Sequence, residues 1–231
     1  MAEPMQDSTP GYRLDELPIR RFEPAAMAAM TAPASTLLLV IDIQTDFAAA
    51  DGAMGRYGLD LSFGEAAIRK IEALIAAARL AGIAVGFARV VTRPETDSSA
   101  LRHFMERSGQ DPNEAAICRD GTSGAGFYAL HPEPGDLQVS KTLFSCFSGT
   151  NFEADLRARG IDTLVVTGMT TDCCVDCTVR DGFHRNFDMF VATDACAAYD
   201  ERTHLAALDG LGRNCAVLVE SATLLAGWNA A

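Results

Sequence analysis

Six short apolar runs, separated by longer amphipathic or Gly- and Pro-punctuated stretches, constrain this chain more than any other feature. They are Thr36 to Asp42, Ile83 to Val90, Leu137 to Lys141, Thr163 to Gly168, Phe187 to Thr193 and Cys215 to Val219. Runs of this length bounded by turn signals suit β-strands. Strands that alternate with helical patterns predict an α/β fold with a parallel sheet. Between them, Ser62-Phe63-Gly64-Glu65 and Thr150-Asn151-Phe152-Glu153 fit the capping box, so each predicts a helix start. The first helix continues through Ile68, Ile71, Leu74, Ile75 and Ala78 at helical spacing and closes at Gly82. Residues 94–135 read as a long connection holding one helix near Ser99 to Arg107. Gly121 to Gly126 follows no strand and opens no clear helix, so a lid or linker is expected there rather than a phosphate cradle.

Composition narrows the function. The chain has 231 residues, 48% of them hydrophobic, which is enough for one sizeable core. Its 31 acidic against 19 basic residues give a net charge of -12, a poor match to nucleic acid or an anionic membrane. No apolar run reaches the length of a membrane span, and the acidic start (Glu3, Asp7, Asp15, Glu16) does not resemble a secretory leader. A cytoplasmic location is expected. Seven cysteines without a regular framework fit a reducing compartment, with Cys118, Cys146, Cys196 and Cys215 mostly as core fillers. Residues 1–35 show little periodicity and read as an N-terminal arm that packs on the body or on a neighbouring subunit, with the main domain over residues 36–231.

Open α/β sheets gather ligands at the carboxyl ends of their strands. Asp42 ends the first run and Lys141 the third, while Cys174 follows the fourth at a predicted helix start. Lys141 stands out in a chain whose basic residues, Lys70 apart, are otherwise all arginine. A helix N-terminus favours a thiolate and later an oxyanion, and an acid, a cation and a thiol are the parts needed for acyl transfer. Singly, each has a plain structural reading: a turn cap, a solvated strand end, a packed thiol. Their placement at three strand ends favours chemistry.

Gly168-Met169-Thr170-Thr171-Asp172-Cys173-Cys174-Val175, with Thr178, Arg180 and Asp181 after it, resembles the signature of the isochorismatase-like cysteine hydrolases. So do Leu39-Val40-Ile41-Asp42-Ile43-Gln44-Thr45-Asp46-Phe47, and Lys141 with Ser145, Phe147 and Thr150 spaced after it. The resemblance extends over roughly residues 36–220. It implies a three-layer αβα fold with a six-stranded parallel sheet of order 3-2-1-4-5-6, and a triad of Asp42, Lys141 and Cys174. It further implies a cis peptide between Met169 and Thr170, an oxyanion hole formed by the Thr170 and Cys174 N–H groups, and pocket positions at Gln44, Phe47, Phe147 and Thr171.

The resemblance implies hydrolysis of a carbon–nitrogen bond in a small amide, ureido or carbamoyl compound through a thioester, closest to carbamoylsarcosine, ureidoacrylate and biuret amidohydrolases. Arg89-Val90-Val91-Thr92-Arg93-Pro94 stands where the metal-using nicotinamidase branch carries an Asp-x-His pair, so neither metal nor other cofactor is expected. Isochorismatases proper cleave a vinyl ether and generally lack the nucleophilic cysteine, which leaves that activity as an alternative. Arg93, Arg102 or Arg107 could hold a substrate carboxylate, although a surface ion pair is the plainer reading of each. His204 is given no catalytic role. The expected partners are a small-molecule substrate and further copies of the chain, as a dimer or tetramer.

Two other classes compete. Cys174-Val175-Asp176-Cys177 is a C-x-x-C pair at a helix start and suits a dithiol redox protein, but that reading leaves Asp42 and Lys141 without a role. A nonenzymatic scaffold of the same fold would be expected to have lost one of the three groups.

Overall fold

Thr36–Ile41 (β1) is buried at every position and pairs in parallel with two strands, so it occupies the centre of the sheet. The computed structural model describes residues 17–230 and runs, in chain order, α1 (Pro24–Met30), β1, α2 (Thr45–Ala48), α3 (Ala53–Arg56), α4 (Ser62–Leu80), β2 (Ala84–Val90), α5 (Ser99–Arg107), β3 (Leu137–Lys141), α6 (Phe152–Ala158), β4 (Thr163–Met169), a π-helical turn (Thr171–Val175), α7 (Asp176–His184), β5 (Asp188–Ala197), α8 (Glu201–Asn214), β6 (Val217–Val219) and α9 (Ser221–Trp228). The six strands lie in the order β3-β2-β1-β4-β5-β6 and every pairing is parallel. The architecture is the α/β sheet expected, with the expected strand order.

Strand residues alternate between the two faces, and the burial follows that alternation. Leu37, Leu39 and Ile41 face a core completed by Phe152, Leu156, Val175, Val179, Leu205 and Leu208. Leu38 and Val40 face the other, completed by Met27, Ile71, Leu74, Leu224 and Trp228. Helices α6, α7 and α8 thus cover one side, with α1, α4 and α9 on the other. Each such aliphatic side chain contributes about 1.5–3 kcal/mol relative to exposure. No helix among the described residues is long and apolar enough to cross a membrane.

The N-terminal segment is described from Leu17 onward, and its first sixteen residues lie outside the described residues. Residues 17–35 pack on the chain's own body: Arg20 N–H donates to Leu218 O at 2.8 Å, and Met27 is fully buried beside Gly227 of α9.

Helices α4 and α6 begin where expected, but not with the expected caps. Asp60 Oδ1, not a Ser62–Glu65 box, accepts the Ser62 N–H at 2.9 Å. At α6, Thr150 Oγ1 accepts the Phe152 N–H at 3.2 Å, while Glu153 turns to Arg185 at 3.3 Å. Helix α5 covers the expected residues, with Ser98 Oγ accepting the Leu101 N–H.

Candidate active site

Parallel pairing with consistent strand direction brings the carboxyl ends of β1, β3 and β4 to one edge, and the strand order reverses between β1 and β4. Asp42 follows β1 immediately. Its backbone is held at φ 53°, a left-handed conformation that Asp enters more readily than most residues. Its N–H bonds to Ala88 O at 3.0 Å and its carbonyl accepts the Gln44 N–H at 2.8 Å, which fixes the turn. Next to it, Gly168 sits at φ 114° where β4 bulges against β5, and a Cβ there would collide with the Ile41 backbone. Glycine at that position therefore lets β4 come close to the end of β1.

Lys141, the last residue of β3, reaches across β2's end to Asp42. Its Nζ lies 2.6 Å from Asp42 Oδ2 and donates also to Leu143 O at 3.1 Å. Both side chains are out of solvent, at 0% and 1% exposure, so each ion depends on the other. Asp42 Oδ1 is buried with no hydrogen-bond partner among the described residues, and the Cys174 thiol is a close enough neighbour to lower the Asp42 pKa. Oδ1 is therefore the open acceptor that a Cys174 S–H can approach.

Electrostatics set the resting protonation. Burial raises the Asp42 carboxyl above the usual range, with Lys141 and Cys174 pulling it back. For Lys141, burial favours the neutral amine, but the charge and hydrogen bond of Asp42 oppose it and the ammonium is held. Cys174 is raised well above an ordinary thiol, first by its hydrogen bond with Cys173, then by burial and by the Asp42 charge, which Lys141 only partly opposes. These influences favour the thiol form of Cys174, whose proton must be removed before attack.

Cys174 lies in the π-helical turn that joins β4 to α7, a form of backbone often found at functional positions. The Met169–Thr170 peptide bond is cis, and the Thr170 carbonyl accepts the N–H groups of Cys173 and Val175, each at 3.1 Å. Thr171 Oγ1 is paired with His204 Nδ1 of α8 at 2.8 Å. Burial lowers the His204 pKa, so the imidazole is neutral.

A cavity of about 200 Å³ opens against this turn, lined by Phe47, Val90, Thr92, Leu101, Ala115, Ile117, Thr142, Leu143, Phe144, Met169, Thr170, Cys173, Cys174 and Tyr199. Asp42 and Lys141 are buried and are not among its lining residues. Of the residues expected to meet substrate or oxyanion, Phe47, Thr170 and Cys174 line it. Gln44, Phe147 and Thr171 are not among its lining residues. The Gln44 amide is used up in clamping the connection: its Oε1 accepts the Val90 N–H at 2.7 Å and its Nε2 donates to Val90 O and Ala125 O. Phe147 belongs to the core, its ring 5.0 Å from that of Phe152 and 5.6 Å from that of Phe187. Thr171 is fully buried and engaged by His204.

Arg93 pairs with Asp120 on the exposed surface, and Arg102 and Arg107 are exposed. The stretch from Gly121 to Gly126 packs on α2, where Gly124 lies against the Asp46 carboxylate and Thr45 N–H donates to Gly126 O. Asp46 also accepts the Cys118 N–H at 2.6 Å and the Ala53 N–H at 3.0 Å. Sequence reasoning missed Tyr199, Thr92 and Leu101. Tyr199 follows the carboxyl end of β5, which was a usable signal; Thr92 and Leu101 come from the irregular connection after β2 and had none.

Comparison with known proteins agrees with this geometry. The sequence profile of the Isochorismatase domain matches residues 36–223. The chain is 37% identical over 189 residues to ureidoacrylate amidohydrolase RutB of Methylobacterium radiotolerans, covering 76% of this chain and 72% of that one. Among solved structures, a cysteine hydrolase from Pseudomonas syringae pv. phaseolicola superposes with a TM-score of 0.76 at 25% identity, over 96% of this chain and 99% of its own. N-carbamoylsarcosine amidase from Thermoplasma acidophilum gives 0.64 at 26% identity, over 81% and 96%. With a domain match over most of its length and a buried acid, ammonium and thiol meeting at the strand ends, this chain belongs to the isochorismatase family.

Proposed function

We propose that this chain is a cysteine hydrolase that cleaves a carbon–nitrogen bond in a small amide, ureido or carbamoyl compound. The observation that carries the reading is the buried Asp42–Lys141 ion pair beside the Cys174 thiol at a cavity wall. The names of its relatives, ureidoacrylate amidohydrolase and N-carbamoylsarcosine amidase, support the same bond class.

In the proposed reaction Asp42, made more basic by burial, takes the Cys174 proton as the sulfur attacks the substrate carbonyl. Lys141 keeps its proton throughout and offsets the negative charge that then passes from carboxylate to sulfur. The carbonyl oxygen gains charge and is met by the N–H groups of Thr170 and Cys174, a contribution of about 2.7–4 kcal/mol per donor in comparable sites. Asp42 returns the proton to the departing ammonia or amine as the C–N bond breaks, leaving a thioester, or a thiocarbamate from a ureido substrate. Water attacks that carbonyl, loses its proton to Asp42, and the C–S bond breaks as Cys174 recovers the proton. The net reaction consumes one water and needs no oxidant or external cation.

The dithiol alternative is disfavoured by Cys177, whose thiol is pushed up to about 11, first by burial and then by Cys173 and nearby carboxylates, and which does not line the cavity. An ammonia-release screen over small amides, ureas and carbamoyl amino acids tests the proposal, with Cys174→Ser and Cys177→Ser side by side. Release that Cys174→Ser abolishes and Cys177→Ser retains is expected. Equal release by Cys174→Ser and the natural protein would refute it.

A further inference from the structure

The wall of the Cys174 cavity contains no Asp, Glu, Lys, Arg or His among the described residues, and half of its side chains are hydrocarbon, with Phe47, Leu101, Ile117, Leu143 and Phe144 the largest of these. Two of the wall's polar side chains are turned to the protein. Tyr199 Oη donates to Phe47 O at 2.9 Å, and Thr92 Oγ1 donates to Ile117 O at 2.6 Å. Two cations beside the wall are committed as well. Lys141 is held by Asp42, and Arg119, whose Nη1 lies 3.3 Å from Thr92 Oγ1, is gripped through both terminal nitrogens by the Asp97 carboxylate at 2.5 and 2.7 Å.

A substrate carboxylate entering this cavity would lose its water and meet no cationic side chain in the wall, Arg102 of α5 being exposed and outside the lining. Burying an unpaired carboxylate is strongly unfavourable, and here it would also lie near the Asp42 charge. A hydrocarbon group in the same place loses only unfavourable contact with water. The volume of about 200 Å³ is below the range of roughly 300–1,000 Å³ typical of pockets for drug-sized ligands, so the group is small.

We propose that the site takes an uncharged, apolar carbonyl compound, a primary amide or monosubstituted urea bearing a short aliphatic or aromatic group, and turns away analogues whose group ends in a carboxylate. The inference rests on the hydrolase reading above and narrows it. It also separates this chain from the relative named for ureidoacrylate, a compound that carries such a carboxylate.

Matched pairs test it. Ammonia release is measured with the full chain, wild type and Cys174→Ser, on butylurea against N-carbamoyl-β-alanine, hexanamide against adipic acid monoamide, and benzamide against 4-carbamoylbenzoate. The neutral member of each pair is expected to show the higher kcat/KM by about a hundredfold or more, the penalty of an unpaired buried charge. Equal use, or preference for the carboxylate, with release still dependent on Cys174, would overturn this inference and leave the hydrolase reading in place. Absence of any Cys174-dependent release from all six compounds would overturn both.

Discussion

Lys141 Nζ and Asp42 Oδ2 stand 2.6 Å apart, with both side chains out of solvent, at the ends of strands that are not neighbours in the sheet. The pair therefore ties β3 to β1 across β2. Because each ion is desolvated, removing one leaves the other uncompensated, at a cost of about 3–5 kcal/mol. Asp42→Asn and Lys141→Met are each expected to lose about that much in urea denaturation, while the double variant loses markedly less than the sum. On the proposed mechanism Asp42→Asn also lowers turnover by about 10²–10⁴-fold, the usual worth of a general base. Additive losses would mean that the two side chains do not depend on one another.

The protonation pattern gives a pH signature. Asp42 is raised above its unfolded value of 3.8, so it contributes stability that is complete below that value and is lost as pH rises through the higher native one. Activity runs the other way: the base is formed only above the native value, so the acid limb of kcat/KM lies above the ordinary carboxylate range. Cys174 is a thiol at rest, so its alkylation by iodoacetamide is expected to be slow at pH 7 and to keep rising beyond pH 9 without a plateau. A plateau near neutrality would show a resting thiolate.

Gly168→Ala is expected to destabilise the protein by more than about 1 kcal/mol and to lower activity disproportionately. The φ of 114° and the close Ile41 backbone leave no room for a Cβ, and any adjustment moves the end of β4 relative to Asp42. Thermal unfolding and turnover measured together check this.

His204 is expected to act by position. Its Nδ1 holds the Thr171 hydroxyl at the start of the turn that carries Cys174, yet it does not line the cavity. His204→Ala should lower kcat by about tenfold to a hundredfold with little change in KM, because a misplaced turn weakens transition-state contacts more than binding. A change confined to KM would place His204 in substrate binding instead.

The sheet was legible in the sequence because β1, β2 and β4 are nearly pure apolar runs, and β3, which alternates buried and exposed residues, was read to its observed ends. The bounds of β5 and β6 were less so. β5 runs on to Ala197 through Asp194, a polar residue that breaks the run but whose carboxylate accepts the Ser221 N–H and hydroxyl at 2.7 and 2.6 Å. β6 begins at Val217, because Cys215 is spent ending α8. The triad positions were readable as chemistry at strand ends, reinforced by family motifs. The side-chain engagements of Gln44 with Val90 and Ala125 and of Phe147 with Phe152 and Phe187 were not legible, because a motif fixes a residue's place in the chain and not the direction of its side chain. The cavity wall was mostly illegible: it is assembled from the connections after five different strands, and only folding brings Leu101, Leu143 and Tyr199 together.

The most direct test of the central claim is mass spectrometry of the acid-quenched protein during steady turnover of an accepted amide, with peptides resolved around Cys174. The account predicts an added mass equal to the acyl group, confined to the Cys174 peptide and absent from Cys174→Ser. Turnover at the natural rate by Cys174→Ser, with no adduct on any cysteine of the natural protein, would contradict it.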